Sequence, residues 1–266
     1  MKKTFLKSGL FLALALTTAV FYSCEKDDDN SGNGSDGNAS TINATNVVNG
    51  SSKITTVKAE IYWETGDWDD DDSEYGYYTI AEAQYKNNSF KMELPSTVPA
   101  KYLQPIMEDD DMEGVTVSDK TVKGAALVDF AAYDKDGEEL GWLVLVSADP
   151  SDDDENGSVA TWIYVDKNIT VNGQEVYDDY NEVYIEKYNN ITLKKWWNIV
   201  YMSTTETYNQ STKKTTYTET YSTQKPSGVT LKWYFCSYDG DYGVLKPATS
   251  LSGKNSFFSQ LKQERR

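Results

Sequence analysis

Val57, Ala59, Ile61 and Trp63 alternate with Lys58, Glu60, Tyr62 and Glu64. An apolar side chain at every second position puts one oily face on an extended strand. Phe90, Met92 and Leu94 alternate with Lys91 and Glu93 in the same way. Residues 77–86 read as the partner of that second strand, with Asn87-Asn88 as the turn between them. The acidic stretch 67–74 separates the first strand from this hairpin.

The middle of the chain is oilier. Segments 125–133 and 141–146 are apolar at successive positions and are joined by Asp134-Lys135-Asp136-Gly137. Asp-Gly tolerates a positive φ, so the pair predicts a hairpin of strands buried on both faces. A strand follows at 159–165, then a strand-and-turn unit over Ile169-Thr170-Val171-Asn172-Gly173. Segments 197–208 and 213–221, rich in Thr and Tyr, flank Asn209-Gln210-Ser211-Thr212 and predict a long hairpin. Such a hairpin offers an open edge for strand addition. Val229, Leu231, Trp233 and Phe235 alternate once more, and only the tail, 256–266, reads as a candidate helix.

Many short strands punctuated by Gly, Asn and Asp imply an all-β fold. The expected architecture is an antiparallel β-sandwich of immunoglobulin-like or transthyretin-like type over residues 47–240. It is either one large sandwich or two small lobes, with 108–114 as the candidate boundary and 241–266 as a tail.

The first residues read differently. Lys2, Lys3 and Lys7 precede an uncharged stretch over 8–22. That is about 15 residues, short of the roughly 18–20 that a spanning helix needs. Ser23-Cys24 and a run of acids follow directly, which suits a cleaved secretory signal. Cleavage near Ala13 and Ala15, or near Thr17-Thr18-Ala19, is one route. The other is a lipoprotein signal over 1–23, with Cys24 carrying the lipid and anchoring the chain to a membrane. Phe21-Tyr22-Ser23-Cys24 resembles a lipobox, and Cys24 followed by Glu25-Lys26-Asp27-Asp28-Asp29 resembles the surface lipoproteins of Bacteroidetes. This resemblance implies display on the outer face of the outer membrane. Residues 25–45 contain almost no large apolar side chain, so 24–46 is expected to be a flexible acidic tether. Its mean reach is roughly 25 Å.

Three further segments are similar to uncharacterised lipoproteins of that group. They are Asn88-Ser89-Phe90-Lys91-Met92-Glu93-Leu94-Pro95, Leu193-Lys194-Lys195-Trp196-Trp197-Asn198, and Pro226-Ser227-Gly228 leading to Leu231-Lys232-Trp233-Tyr234-Phe235. In the second, Trp196 stands where the similar segments carry glycine. The likeness implies a β-rich surface lipoprotein and brings no catalytic residues with it.

Composition narrows the chemistry. A net charge of −17, with only two arginines (Arg265 and Arg266), repels phosphate backbones and argues against a nucleic-acid partner. The chain has no histidine, which removes Ser-His-Asp triads, Cys-His pairs and His-ligated zinc. With Cys24 lipidated, the other cysteine, Cys236, is left as a buried strand thiol.

Asp152-x-Asp154-x-Asn156-Gly157 matches the first half of a calcium loop, but Ile163 stands where the bidentate Glu should be. Calcium is therefore the one candidate cofactor. Trp68, Tyr75 and Tyr77 lie in and beside the acidic stretch 67–74, and aromatics beside acids form platforms for sugar rings or protein partners. Trp196 and Trp197 are adjacent in a strand, so one is core and the other a contact candidate. The expected function is a non-enzymatic binding or adhesion module for a glycan or host protein. The alternatives are a structural subunit of an outer-membrane or fimbrial assembly, and a two-carboxylate hydrolase.

Overall fold

Alternation in the sequence becomes alternation in space. The computed structural model describes residues 40–65, 74–106, 114–150, 156–178, 180 and 182–238. These residues form an all-β structure whose one helical element is a 3-10 turn, Ala100–Tyr102. The strands are β1 (Thr41–Ala44), β2 (Thr56–Thr65), β3 (Glu74–Gln84), β4 (Phe90–Glu93), β5 (Gln104–Pro105), β6 (Val115–Val117) and β7 (Lys123–Tyr133). They continue with β8 (Glu139–Val146), β9 (Gly157–Val165), β10 (Ile169–Asp178), β11 (Glu182–Leu193), β12 (Trp196–Asn209), β13 (Lys214–Ser222) and β14 (Lys232–Ser237).

One sheet runs β3-β2-β7-β8-β9-β12-β13-β11-β10-β6, with β14 added beside β8 and β5 beside β7; β1 and β4 form a separate pair. All ladders between these strands are antiparallel except β11–β13. The arrangement is consistent with the expected β-sandwich. β7, which follows segment 108–114, pairs directly with β2, which precedes it.

Three apolar clusters line this sheet: β9 divides the two larger ones between opposite faces, and a smaller third, Val144, Val146, Val159, Tyr234 and Cys236, lies on the side of β8 and β14 away from the first. Trp162 and Tyr164 of β9 point into the first core with Val57, Ile61, Phe90, Met92, Phe130, Leu143 and Trp233. Ile163 and Val165 point the other way, to Val171, Tyr188, Ile191, Leu193, Val200 and Tyr221. Each large apolar side chain buried here contributes about 1.5–3 kcal/mol relative to exposure. The first core is ring-rich: Phe130 and Phe90 meet Trp233 edge-on at 5.2 and 5.3 Å, and Trp162 stacks on it at 5.9 Å.

Three expectations need correction. Asn87-Asn88 does turn the chain, both residues at φ 54°, with Lys86 and Ser89 bonded in both directions. The flanking strands then part, however: β3 pairs with β2, and β4 with β1. The cause is burial, because Phe90 and Met92 close the first core together with Ile42 and Ala44 of β1.

Gly173 does not end a strand. At φ +132° it makes a bulge inside β10, where a Cβ would lie 2.1 Å from the carbonyl oxygen of Gly114. Finally, most of the β12–β13 hairpin is covered on both sides, β12 by β9 from Trp196 to Thr204 and β13 by β11; among the described residues of β12 only Thr205–Asn209 lack a second strand partner. The tail at 241–266, the leader at 1–23 and the anchor Cys24 lie outside the described residues, as does nearly all of the tether.

The parallel ladder carries an unusual pattern. Tyr184, Glu186 and Tyr188 of β11 stand opposite Tyr217, Glu219 and Tyr221 of β13. The rings stack in pairs at 5.2 Å, and Tyr188 and Tyr221 donate hydrogen bonds to Glu186 (2.7 Å) and Glu219 (3.0 Å). Glu186 and Glu219 are both buried. Burial, followed by the charges of these glutamates, holds both Tyr188 and Tyr221 well above the usual phenol range, so each stays a donor.

Candidate binding face

β2 and β3 cover the first core with one face and present the other outward; β8 and β14 do so only near Glu139 and Tyr238, because Val144, Val146, Tyr234 and Cys236 bury the rest of their far face in the third cluster, on which Trp142 packs. In β2 the inward positions are Val57, Ala59 and Ile61, which leaves Lys58, Glu60 and Tyr62 on the outer face. Register then assembles the neighbours: Tyr62 opposite Tyr77, Glu60 opposite Thr79, and Lys58 opposite Ala131 of β7. β7 contributes Tyr133, β8 contributes Glu139 and Trp142, and Tyr238 follows β14. Five adjacent strands, β3-β2-β7-β8-β14, thus feed one outer face.

Its groups interact with one another. Tyr62 and Tyr77 meet edge-on at 5.8 Å, and Tyr77 is 53% exposed. The Lys58 ammonium stands 3.9 Å over the Tyr133 ring, a cation–π contact worth about 0.5–1 kcal/mol at a wet site. Glu139 accepts hydrogen bonds from Tyr238 at 2.6 Å and from Tyr133 at 3.4 Å. Tyr238 is 59% exposed and packs against Trp142 at 5.3 Å. Glu60 accepts from the Thr79 hydroxyl at 3.0 Å. Partial burial lifts the Glu60 carboxyl above its usual range; the Thr79 bond opposes that, the Glu139 charge adds to it, and Lys58 opposes it again.

Chemically, the face offers broad apolar ring surface, two carboxylate acceptors and one ammonium donor. Rings that are partly wet and partly packed are the usual material of contact surfaces.

The residues singled out from sequence are dispersed. Tyr77 lies at one end of the face, on the edge strand β3. Tyr75 is two residues earlier in β3, registered opposite Glu64. Trp68 lies outside the described residues, as do Asp152 and Asp154. Asn156 is described, and its side-chain oxygen accepts the Glu206 backbone N–H at 2.9 Å, tying the start of β9 to β12. Among the described residues no three acidic or cysteine side chains converge to hold a metal.

Trp196 and Trp197 divide as expected. Trp197 is 1% exposed and donates its indole N–H to the Pro95 carbonyl at 2.8 Å, while Trp196 is 44% exposed. Trp196 also sits at φ +88°, a conformation suited to glycine. Strain of this kind costs on the order of 1–3 kcal/mol. Buried Asn198 holds the turn, accepting the Lys194 N–H at 2.8 Å and donating to the carbonyls of Lys194 (2.7 Å) and Trp196 (2.9 Å).

Sequence reasoning missed Lys58, Glu60, Tyr133, Glu139, Trp142 and Tyr238 as a group. A signal was present in β2, whose polar face includes a tyrosine, but the pairing that joins five strands leaves no local mark. No known protein family, curated protein or solved structure matches the chain.

Proposed function

We propose that this chain is a non-enzymatic binding or adhesion module, anchored by a lipid on Cys24 and displayed at the outer-membrane surface. The observation that carries the reading is the outer face of β3-β2-β7-β8-β14, where exposed rings surround an acceptor pair instead of being buried. Anchor and tether would hold that face away from the lipid headgroups, where a glycan or a host protein can reach it. Glu60 and Glu139 are the closest approach to a two-carboxylate centre among the residues of this face. Lys58 and Tyr133 engage them as part of a contact surface, which supports acceptor roles over hydrolysis.

Two measurements test this together. Protease shaving of intact cells should release the folded part, and a glycan and host-protein array should give a signal that Tyr77→Ala removes. Full protection from protease combined with a silent array would sink the proposal.

A further inference from the structure

The class of ligand can be narrowed by charge; this step rests on the binding reading above and deepens it. A chain of net charge −17 repels an extended polyanion at long range. A cationic ligand would be drawn to Glu60 and Glu139, but a cation already stands on that face. The Lys58 ammonium lies over Tyr133 and lowers the charge burden on Glu60. An incoming lysine or arginine would have to displace it or face its repulsion. A neutral ligand meets neither penalty.

Two features then describe what the neutral ligand must look like. The rings of Tyr62 and Tyr77 are inclined by 68°, and those of Trp142 and Tyr238 by 47°, so ring surface is offered at both ends of the face. Carboxylates lie between those ends and accept hydrogen bonds but donate none. The matching ligand therefore has apolar C–H faces for the rings and hydroxyl donors for Glu60 and Glu139. Five strands spaced about 4.8 Å apart put the ends of the face roughly 19 Å from one another across the sheet, and register also offsets them along the strands, since Tyr133 and Glu139 lie level with Thr56 and not with Tyr62. The diagonal is longer than one sugar ring. We infer that this face takes a neutral carbohydrate chain, laid diagonally across the strands from Tyr77 to Tyr238.

The test is calorimetry on the full-length chain in detergent. The probes are neutral glucan, xylan and mannan hexasaccharides, with oligolysine and a sulfated hexasaccharide as controls. At least one neutral probe should bind with an affinity unchanged between low and high salt. Tyr77→Ala and Tyr238→Ala should each weaken it by about tenfold or more, as loss of an anchoring ring does, without moving the melting temperature. Binding of oligolysine alone, abolished by salt, would overturn the neutral assignment. Sugar binding indifferent to both variants would place the site elsewhere and overturn it too. Silence toward every sugar, with Tyr77-dependent binding of an arrayed protein, would remove the carbohydrate and leave the binding module. Silence in both assays would remove both.

Discussion

The inner and outer faces of β2, β7, β8 and β14 use the same kinds of ring to opposite ends. Inside, Phe90, Phe130, Trp162 and Trp233 pack against one another, and the indole N–H groups of Trp162 and Trp233 find no hydrogen-bond partner among the described residues. Two such orphaned donors are costly, about 1–3 kcal/mol each, and persist because the ring area buried around them outweighs the loss. Outside, the polar groups pair with one another: the Tyr133 and Tyr238 phenols with Glu139, Lys58 with the Tyr133 ring, Thr79 with Glu60. An aromatic excess in a composition is thus two populations, one holding the fold and one dressing its surface.

The contrast can be broken in four places, the largest effect first. Trp233→Ala should cost about 3–5 kcal/mol, since it leaves a ring-sized cavity in the first core; chemical denaturation reads it, and a loss below about 1 kcal/mol would mean that this core is not load-sharing. Trp142→Ala, on the half-buried outer side, should cost only about 1–2 kcal/mol by area lost. Equal losses for the two tryptophans would erase the distinction between faces.

Trp196→Gly should go the other way. Relief of the left-handed strain, on the order of 1–3 kcal/mol, outweighs the extra freedom glycine brings to the unfolded chain, about 0.4–1 kcal/mol. A higher melting temperature is the expected reading, and a lower one would show that the exposed indole stabilises the fold.

The smallest effect concerns acid. A raised Glu60 carboxyl binds its proton more tightly in the folded state, so its contribution to stability falls as pH rises from the unfolded value through the folded one. Melting curves of wild type and Glu60→Gln should coincide below about pH 4 and separate above it in favour of the variant. Parallel curves at every pH would remove the burial argument.

How much of this was legible depends on the range of the interaction. Val57 to Trp63, the Asp134–Gly137 turn and the β12–β13 hairpin all announce themselves within a few residues, because side-chain period and turn chemistry are local. The turn at Asp134 is built as expected, with its carboxylate accepting N–H groups from Asp136 (2.8 Å) and Glu138 (2.9 Å). The partners of β3 and β4 were misread because an Asn-Asn turn specifies the turn and not how long its strands stay together. Gly173 was misread for a related reason. Its freedom serves the close approach of β6, a segment more than fifty residues earlier, and not a change of direction. Of the candidate site, only Tyr77 was visible from sequence, since Glu139 and Tyr238 join it through register alone.

The tyrosine–glutamate ladder has a consequence for how the chain reaches this state. β11 and β13 repeat one motif, Tyr-x-Glu-x-Tyr, and pair in parallel across the whole of β12. A slip of two residues would keep every side chain on its own face, so sorting of oily from wet positions does not police this register. Only ring on ring distinguishes right from wrong, because the phenol–carboxylate bonds run within each strand and survive a slip. Joining strands so far apart in the chain is slow. Errors made at that seam must be undone by separating the strands again. Refolding should therefore stall there last, in a population that already has its first core and is still searching for the correct alignment of two nearly interchangeable strands.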